Sequence, residues 1–249
     1  RKIDQKLERE VAENASVIVH TNEGIAKLWA NRYGVEIANK IVVIPLNVNF
    51  SEMERKILRT DNKNVVCISH IGTFYPQRDA SSFIKAIRVF VQKYPYLRSR
   101  LKVNFVGRTI ESDRQKIMEY ELTDLFNLTG SIPIAECSKY YEETDVFLST
   151  AGEDFEKITY PSKIMKYFYY ERPILGITPK DTVLEMELRK SGHHYYEPSD
   201  VEGISNYIFD AINNYSSICN FDRDYWKRFS VDNVVGHYLD VIDKYIKKL

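Results

Sequence analysis

Tyr160–Gly176 reads YPSKIMKYFYYERPILG, and the fold turns on this stretch. Tyr160-Pro161-Ser162-Lys163 is a polar, proline-led helix entry, because proline suits the first helical position, where its missing N–H has no partner anyway. A short aromatic helix follows, and Arg172-Pro173-Ile174-Leu175-Gly176 reads as a buried strand. Free backbone N–H groups and the positive end of the helix dipole behind Pro161 predict an anion site, to which Lys163 adds a full charge. By itself the stretch reads first as an ordinary amphipathic helix with a surface lysine. Its neighbours along the chain tip the balance.

Strand and helix patterns alternate on both sides of it. Upstream, Ser16–His20 and Ile41–Ile44 are β-branched runs; helices are predicted over Ile3–Val11 and Ile25–Tyr33, the latter ended by Gly34. Residues 46–63 carry few large apolar side chains and read as a connection. The alternation resumes with a strand at Val65–Ser69 and a helix with Phe83, Ile87 and Phe90 on one face, capped by Asp79. Then come a strand at Leu101–Val106, a helix near Ser112–Tyr120 and a strand at Phe126–Leu128. A helix over Ala135–Tyr141 and a strand at Val146–Leu148 lead into the quoted stretch. Beyond it lie a helix over Val183–Lys190, a short strand at His194–Tyr196 and a helix over Val201–Asn213. The final helix opens at Ser230, with Phe229 and Val234 placed as a hydrophobic staple.

Such alternation predicts an α/β fold, a doubly wound, mostly parallel, Rossmann-like sheet. Its ligand belongs beyond the carboxyl ends of the strands, at the topological switch. Those ends are Gly72, Gly107, Gly130 and the Ser149-Thr150-Ala151-Gly152 loop, and four glycines in one structural position predict close backbone approach to a ligand.

Composition narrows the possibilities. The 249 residues suit one large or two modest domains, and 44% hydrophobic with 13% aromatic residues supply a core. Thirty-five basic side chains balance thirty-five acidic ones, so no global field draws the chain to nucleic acid or an anionic membrane, and any anion site must be local. Cys67, Cys137 and Cys219 have neither CxxC nor metal-ligand spacing and read as reduced, mostly buried thiols. No apolar run approaches a membrane span and no signal peptide is visible. The chain starts at Arg1 inside a helical pattern, which is expected of a piece of something longer.

The motifs that carry a family likeness are Ile71-Gly72-Thr73-Phe74-Tyr75 with Arg78-Asp79, then Phe105-Val106-Gly107, and Leu128-Thr129-Gly130-Ser131-Ile132-Pro133 with Glu136. Thr144-Asp145-Val146-Phe147-Leu148 and Pro161-Ser162-Lys163 through Gly176 complete the set. In this order the chain, from about Ser16 to its end, resembles the C-terminal, donor-binding half of GT-B glycosyltransferases of the group 1 type, which use nucleotide-sugar donors. The resemblance implies four parts: residues 1–48 as the end of a truncated N-terminal acceptor domain, 49–63 as linker, 64–230 as the nucleotide-sugar-binding Rossmann-like domain, and 231–249 as a terminal helix that crosses back to the N-terminal part.

It also implies roles. Arg78 and Lys163 resemble the basic pair that grips the donor diphosphate, helped by Ser162, Gly72 and Thr73. The leaving diphosphate gains negative charge as the glycosidic bond breaks, and cations stabilise that change without a metal. Ile132 matches the position whose backbone meets the base edge, so Ser131, Ile132, Pro133, Arg108 and Lys166 are the expected nucleoside contacts. One position departs from the pattern. Relatives carry paired glutamates where this chain has Thr159 and Lys166, and a lysine lacks the two acceptor oxygens that hold a ribose. Glu153, Asp154 and Glu156 are alternative acceptors or simply a solvated acidic loop. His20, His193 and His194 read as structural or solvated, and no nucleophilic triad or metal-ligand cluster is visible.

The expected function is transfer of a sugar from a UDP- or GDP-linked donor, a substrate rather than a cofactor, to a saccharide, a lipid-linked saccharide or another hydroxyl acceptor, as in polysaccharide biosynthesis. The resemblance implies a cytoplasmic enzyme that can sit peripherally at a membrane through the missing part, with the isolated fragment inactive. The alternative, motivated by Lys166 and Thr159, is a non-catalytic GT-B-like binding or scaffolding module. A nucleotide-sugar epimerase ranks last, because no acid–base groups are placed for it.

Overall fold

The computed structural model describes residues 2–51, 53, 64–152, 157–159 and 162–246. Tyr160, Pro161, Glu153, Asp154 and Glu156 therefore lie outside the described residues. The N-terminal part is α1 (Lys2–Asn14), β1 (Ile18–His20), α2 (Glu23–Tyr33), the single-turn α3 (Val35–Ala38) and β2 (Ile41–Val43), with β1 and β2 paired in parallel. Asn22 caps α2, accepting the Ile25 N–H at 3.0 Å, and Gly34 closes it.

The larger part holds β3 (Val66–Ile71), α4 (Ser81–Lys93), β4 (Leu101–Val106), α5 (Glu111–Glu119), β5 (Phe126–Gly130), α6 (Ile134–Glu143) and β6 (Val146–Thr150). It continues with α7 (Lys163–Tyr169), β7 (Ile174–Ile177), α8 (Val183–Ser191), β8 (His194–Tyr196), α9 (Val201–Asn213) and α10 (Val231–Ile246). Six parallel strands run in the order β5-β4-β3-β6-β7-β8, so the direction of winding reverses between β3 and β6. Loops leaving adjacent strands there diverge to opposite sides and open a crevice.

Period-two alternation sends each strand's side chains to two unlike layers. Val66, Ile68, Val103, Phe105, Val146 and Leu148 face α4 and α9 and close a mainly aliphatic core. Ile71, Val106, Phe147 and Ile174 face an aromatic layer of Tyr141, Tyr167, Phe168, Tyr169 and Tyr170. The connection after β2 joins this second layer: the Val48 N–H donates to the Phe229 carbonyl at 2.8 Å, and Phe50 stacks on Tyr169 at 4.7 Å.

Some local details differ from expectation. The α4 cap is Ala80, not Asp79: buried Asp113 takes the Ala80 N–H at 2.9 Å, leaving Asp79 to accept the Ser81 N–H from one residue further out. Of the three cysteines only Cys67 is buried; Cys137 and Cys219 are partly exposed. The 3₁₀ turns Pro95–Arg100, Tyr215–Ile218 and Tyr225–Phe229 carry no periodicity long enough to be read from sequence. Ser230 does accept the Asn233 N–H at 3.4 Å, and Phe229 and Val234 are both buried.

A cavity at the strand switch

Three residues of Tyr160–Gly176 fasten β3 and α6 in place. Tyr167 stacks on Phe147 at 4.3 Å; its hydroxyl accepts the Ile71 N–H at 3.0 Å and donates to the Ile71 carbonyl at 3.3 Å, tying α7 to the end of β3. Arg172, only 6% exposed, donates to the last carbonyls of α6: Tyr141 at 3.4 Å, Glu142 at 2.8 Å and, closest, Thr144. A cation there satisfies orphan carbonyls and meets the negative end of the helix. Lys163 reaches across to β3, its ammonium 2.7 Å from His70 Nε2. Held in this way, α6 and α7 stand apart over the carboxyl ends of β3 and β4.

The gap between them is a cavity of about 650 Å³, within the usual range for a small-molecule site. Its floor is Ile71, Gly72, Thr73, Val106 and Gly107; one wall is Ser131, Ile132 and the α6 face Ile134, Cys137, Ser138, Tyr141 and Glu142. Met53, Lys166 and Tyr170 close the other side. Gly72 has φ 142° and Gly107 φ 122°, a region closed to most side chains. At Gly107 space forbids a side chain as well, since a Cβ would lie 2.5 Å from the Gly72 carbonyl oxygen; one on Gly72 would meet only the movable end of the Lys163 side chain, with Nζ at 2.9 Å. Gly152 differs from the other strand-end glycines in having no positive φ; there the Gln77 carbonyl, 1.9 Å from where a Cβ would lie, leaves no room for one.

The sequence-predicted residues are only partly gathered. Gly72, Thr73, Ser131, Ile132 and Lys166 line the cavity. Arg78 is held by its backbone, which donates to Tyr75 and accepts from Thr150 Oγ1, and its charge is felt at His70 beside Lys163. Arg108 lines an adjacent hollow of about 260 Å³ with Thr73 and Phe74. Pro133 sits at the cap of α6 behind the lining, and Ser162 precedes α7 in helical conformation without making a side-chain cap bond. With seven residues α7 carries little dipole at its start, so the positive charge there is mainly that of Lys163.

Sequence reasoning missed Cys137, Ser138, Tyr141, Glu142 and Tyr170 as cavity wall. The helical spacing of Ile134, Cys137, Ser138, Tyr141 and Glu142 places them on one face, but nothing in the sequence says that this face looks into a gap. Burial pushes the Cys137 thiol up despite the nearby Lys166 charge. His70 is also new. Burial first, then the charges of Lys163 and Arg78, hold its imidazole neutral, well below the ordinary histidine range.

The three histidines weighed earlier stay outside the cavity. His193 Nδ1 accepts the Ile174 N–H at 3.2 Å, and burial pushes its pKa down to about 3. His194 packs on Tyr207, and His20 meets Trp29 edge-on at 4.8 Å.

Six parallel strands reversing at β3/β6, with glycine turns and a cavity at that reversal, match known structures. The fold is that of GT-B glycosyltransferases. Anabaena Alr3699/HepE, solved in complex with UDP and glucose, superposes with a TM-score of 0.71 at 12% identity, over 94% of this chain and 65% of that one. A glycosyltransferase from Rickettsia africae gives 0.70 at 13% identity, over 94% and 64%. S. aureus TarM, solved with UDP and α-GlcNAc-glycerol, gives 0.68 at 15% identity, over 95% of this chain and 45% of that one. The chain thus spans less than two thirds of these GT-B proteins. No family model and no curated protein matches the sequence. Among the described residues no helix is long and apolar enough to cross a membrane.

Proposed function

We propose that the cavity over β3 and β4 binds a nucleoside diphosphate sugar and that the chain is the donor-binding half of a glycosyltransferase. The observation that carries this reading is the convergence of Lys163, with Arg78 close by, on the open backbone of Gly72 at the sheet's switch point. The diphosphate lies along Gly72 and Thr73, with the Lys163 ammonium and the Arg78 guanidinium taking up the charge that the leaving group gains. The base lies against Ile132, where Ser131 and the exposed backbone offer donors and acceptors. Near the ribose, Lys166 donates, and Glu142 with Ser138 on α6 supplies the acceptors that Lys166 lacks. The reading explains why an acidic residue lines a cavity whose other charged lining residue is a lysine. The UDP found with HepE and TarM supports uridine as the first base to try.

The acceptor belongs to the part of a longer protein that would face this cavity. Ile3, Leu7 and Val11 on α1, and Val235, Tyr238, Leu239 and Ile242 on α10, present apolar side chains to solvent; we read them as the surface which that part covers. The 249-residue chain then binds donor but transfers little sugar.

Isothermal titration with UDP, GDP and their glucose conjugates tests the reading: one pair should bind with saturable stoichiometry of one, and no binding to any would end it. The lysine at the ribose position favours a second reading, a GT-B-fold module that binds nucleotide or partner without transfer. Donor hydrolysis or transfer by the longer protein would exclude that module; binding without either would support it.

A further inference from the structure

We infer that His70 is a positioning residue: a buried, Nδ1-protonated imidazole that accepts a hydrogen bond from Lys163 and so fixes the lysine ammonium against Gly72, whose backbone lines the cavity floor. The inference rests on the donor-binding reading of that cavity. His70 is 2% exposed, and its ring stacks on Phe74 with centroids 3.8 Å apart and planes 19° from parallel, so the ring cannot rotate freely. Nδ1 lies 3.1 Å from the Leu148 carbonyl oxygen. A carbonyl only accepts, so Nδ1 carries the proton, and a neutral ring then presents a lone pair at Nε2. Lys163 Nζ, which only donates, is 2.7 Å from that lone pair.

Each end of the ring is thereby matched to a partner of one polarity, which selects the tautomer. Charge reinforces the choice: burial and the positive charges of Lys163 and Arg78 all oppose an imidazolium, so the acceptor stays an acceptor. The consequence is spatial. The ammonium is drawn to 2.9 Å from the point where a Gly72 Cβ would sit, beside the backbone that lines the cavity. A lysine ordinarily samples many rotamers, and immobilising one in advance removes an ordering cost from anion binding. His70 itself need never touch the ligand.

The test compares the 249-residue chain with His70→Phe and His70→Gln. Phenylalanine keeps the stack on Phe74 but removes both polar contacts, whereas glutamine can offer an oxygen near the Nε2 position. The probes are whichever of UDP and GDP the unsubstituted chain binds, with the matching nucleoside. His70→Phe should raise the diphosphate Kd roughly 10- to 100-fold, as loss of a hydrogen bond to a charged group implies, while leaving nucleoside affinity within about twofold. His70→Gln should recover part of the loss. Equal diphosphate affinity in His70→Phe, or equal losses for nucleoside and diphosphate, would overturn the inference, since the latter is what general damage to the cavity produces. Long-range ¹H–¹⁵N correlation on the unsubstituted chain decides the matter even if His70→Phe does not fold: it should show Nδ1–H, and an Nε2–H ring would refute the arrangement. Failure of the unsubstituted chain to bind either diphosphate is a different result, and would sink the donor reading from which the inference starts.

Discussion

The two faces of the six-stranded sheet are built from the same strands and behave differently. Toward α4 and α9, Val66, Ile68, Val103, Phe105, Val146 and Leu148 meet Phe83, Ile87 and Phe90 in a layer held together by apolar burial, which has no direction. Toward α6 and α7 the alternate positions Cys67, Ser69 and Asn104 are polar. Asn104 Nδ2 donates to Cys67 Sγ at 3.0 Å and to Glu143 at 3.0 Å; Thr144 donates to Ser69 at 2.6 Å. Directional bonds of this kind, with the Tyr167 and Arg172 contacts, hold two helices at fixed places without collapsing them together. Both faces bury apolar side chains; only the second also borders a gap.

This contrast can be broken deliberately, and the largest effect belongs to the apolar face. Phe105→Ala should cost about 3–5 kcal/mol of unfolding free energy by denaturant titration, with nucleotide affinity at the surviving native fraction little changed. Acid should act on both faces through His70 and His193. Their folded pKa values lie below the unfolded value of 6.5, so the unfolded chain binds more protons once pH falls below it. The stability that their neutral forms contribute is complete above pH 6.5 and declines as pH falls toward the folded values, by about 1.4 kcal/mol per pH unit for each group. Melting curves at pH 7, 6 and 5 should show this loss, and His193→Gln should remove about half of it. Arg172→Ala should cost about 3 kcal/mol, because three α6 carbonyls lose a charged donor in a buried place. It should also weaken ligand binding, since α6 is the cavity wall; unaltered binding would mean that the wall needs no such anchor.

Two smaller effects sharpen the comparison. Lys163→Ala should lower diphosphate affinity by about 2 kcal/mol with little change in melting temperature, the reverse of Phe105→Ala. Titration calorimetry alongside a thermal melt separates the two. Tyr167→Phe should cost about 1 kcal/mol of stability, as the ring stack on Phe147 survives and only the hydroxyl bonds to Ile71 go.

Local patterns were legible in the chain itself. The alternation of β-branched runs with amphipathic helices specified a parallel doubly wound sheet, because period-two and period-3.6 burial are properties of neighbouring residues. The same reasoning located the strand-end glycines and marked Lys163 as a cation at a helix entry. It did not place Arg108, which opens on a neighbouring hollow, nor Pro133, which stands behind the lining. Nor did it single out His70, whose polar partners, Leu148 and Lys163, lie 78 and 93 positions away. Glu142 and Ser138 were hidden for a related reason: a helix face is visible in sequence, whereas what that face looks upon is not.

In the stretch Tyr160–Gly176, sequence alone determined that a short helix leads into a buried strand, since proline geometry and apolar runs act over a few residues. Tertiary structure decided that Lys163 and Tyr167 fasten to β3 and Arg172 to the end of α6, around one cavity. That division follows from range. Backbone propensity and periodicity act between near neighbours, whereas hydrogen bonds from this one stretch to β3 and to the end of α6 exist only once the sheet has brought distant segments within 3 Å or so of one another.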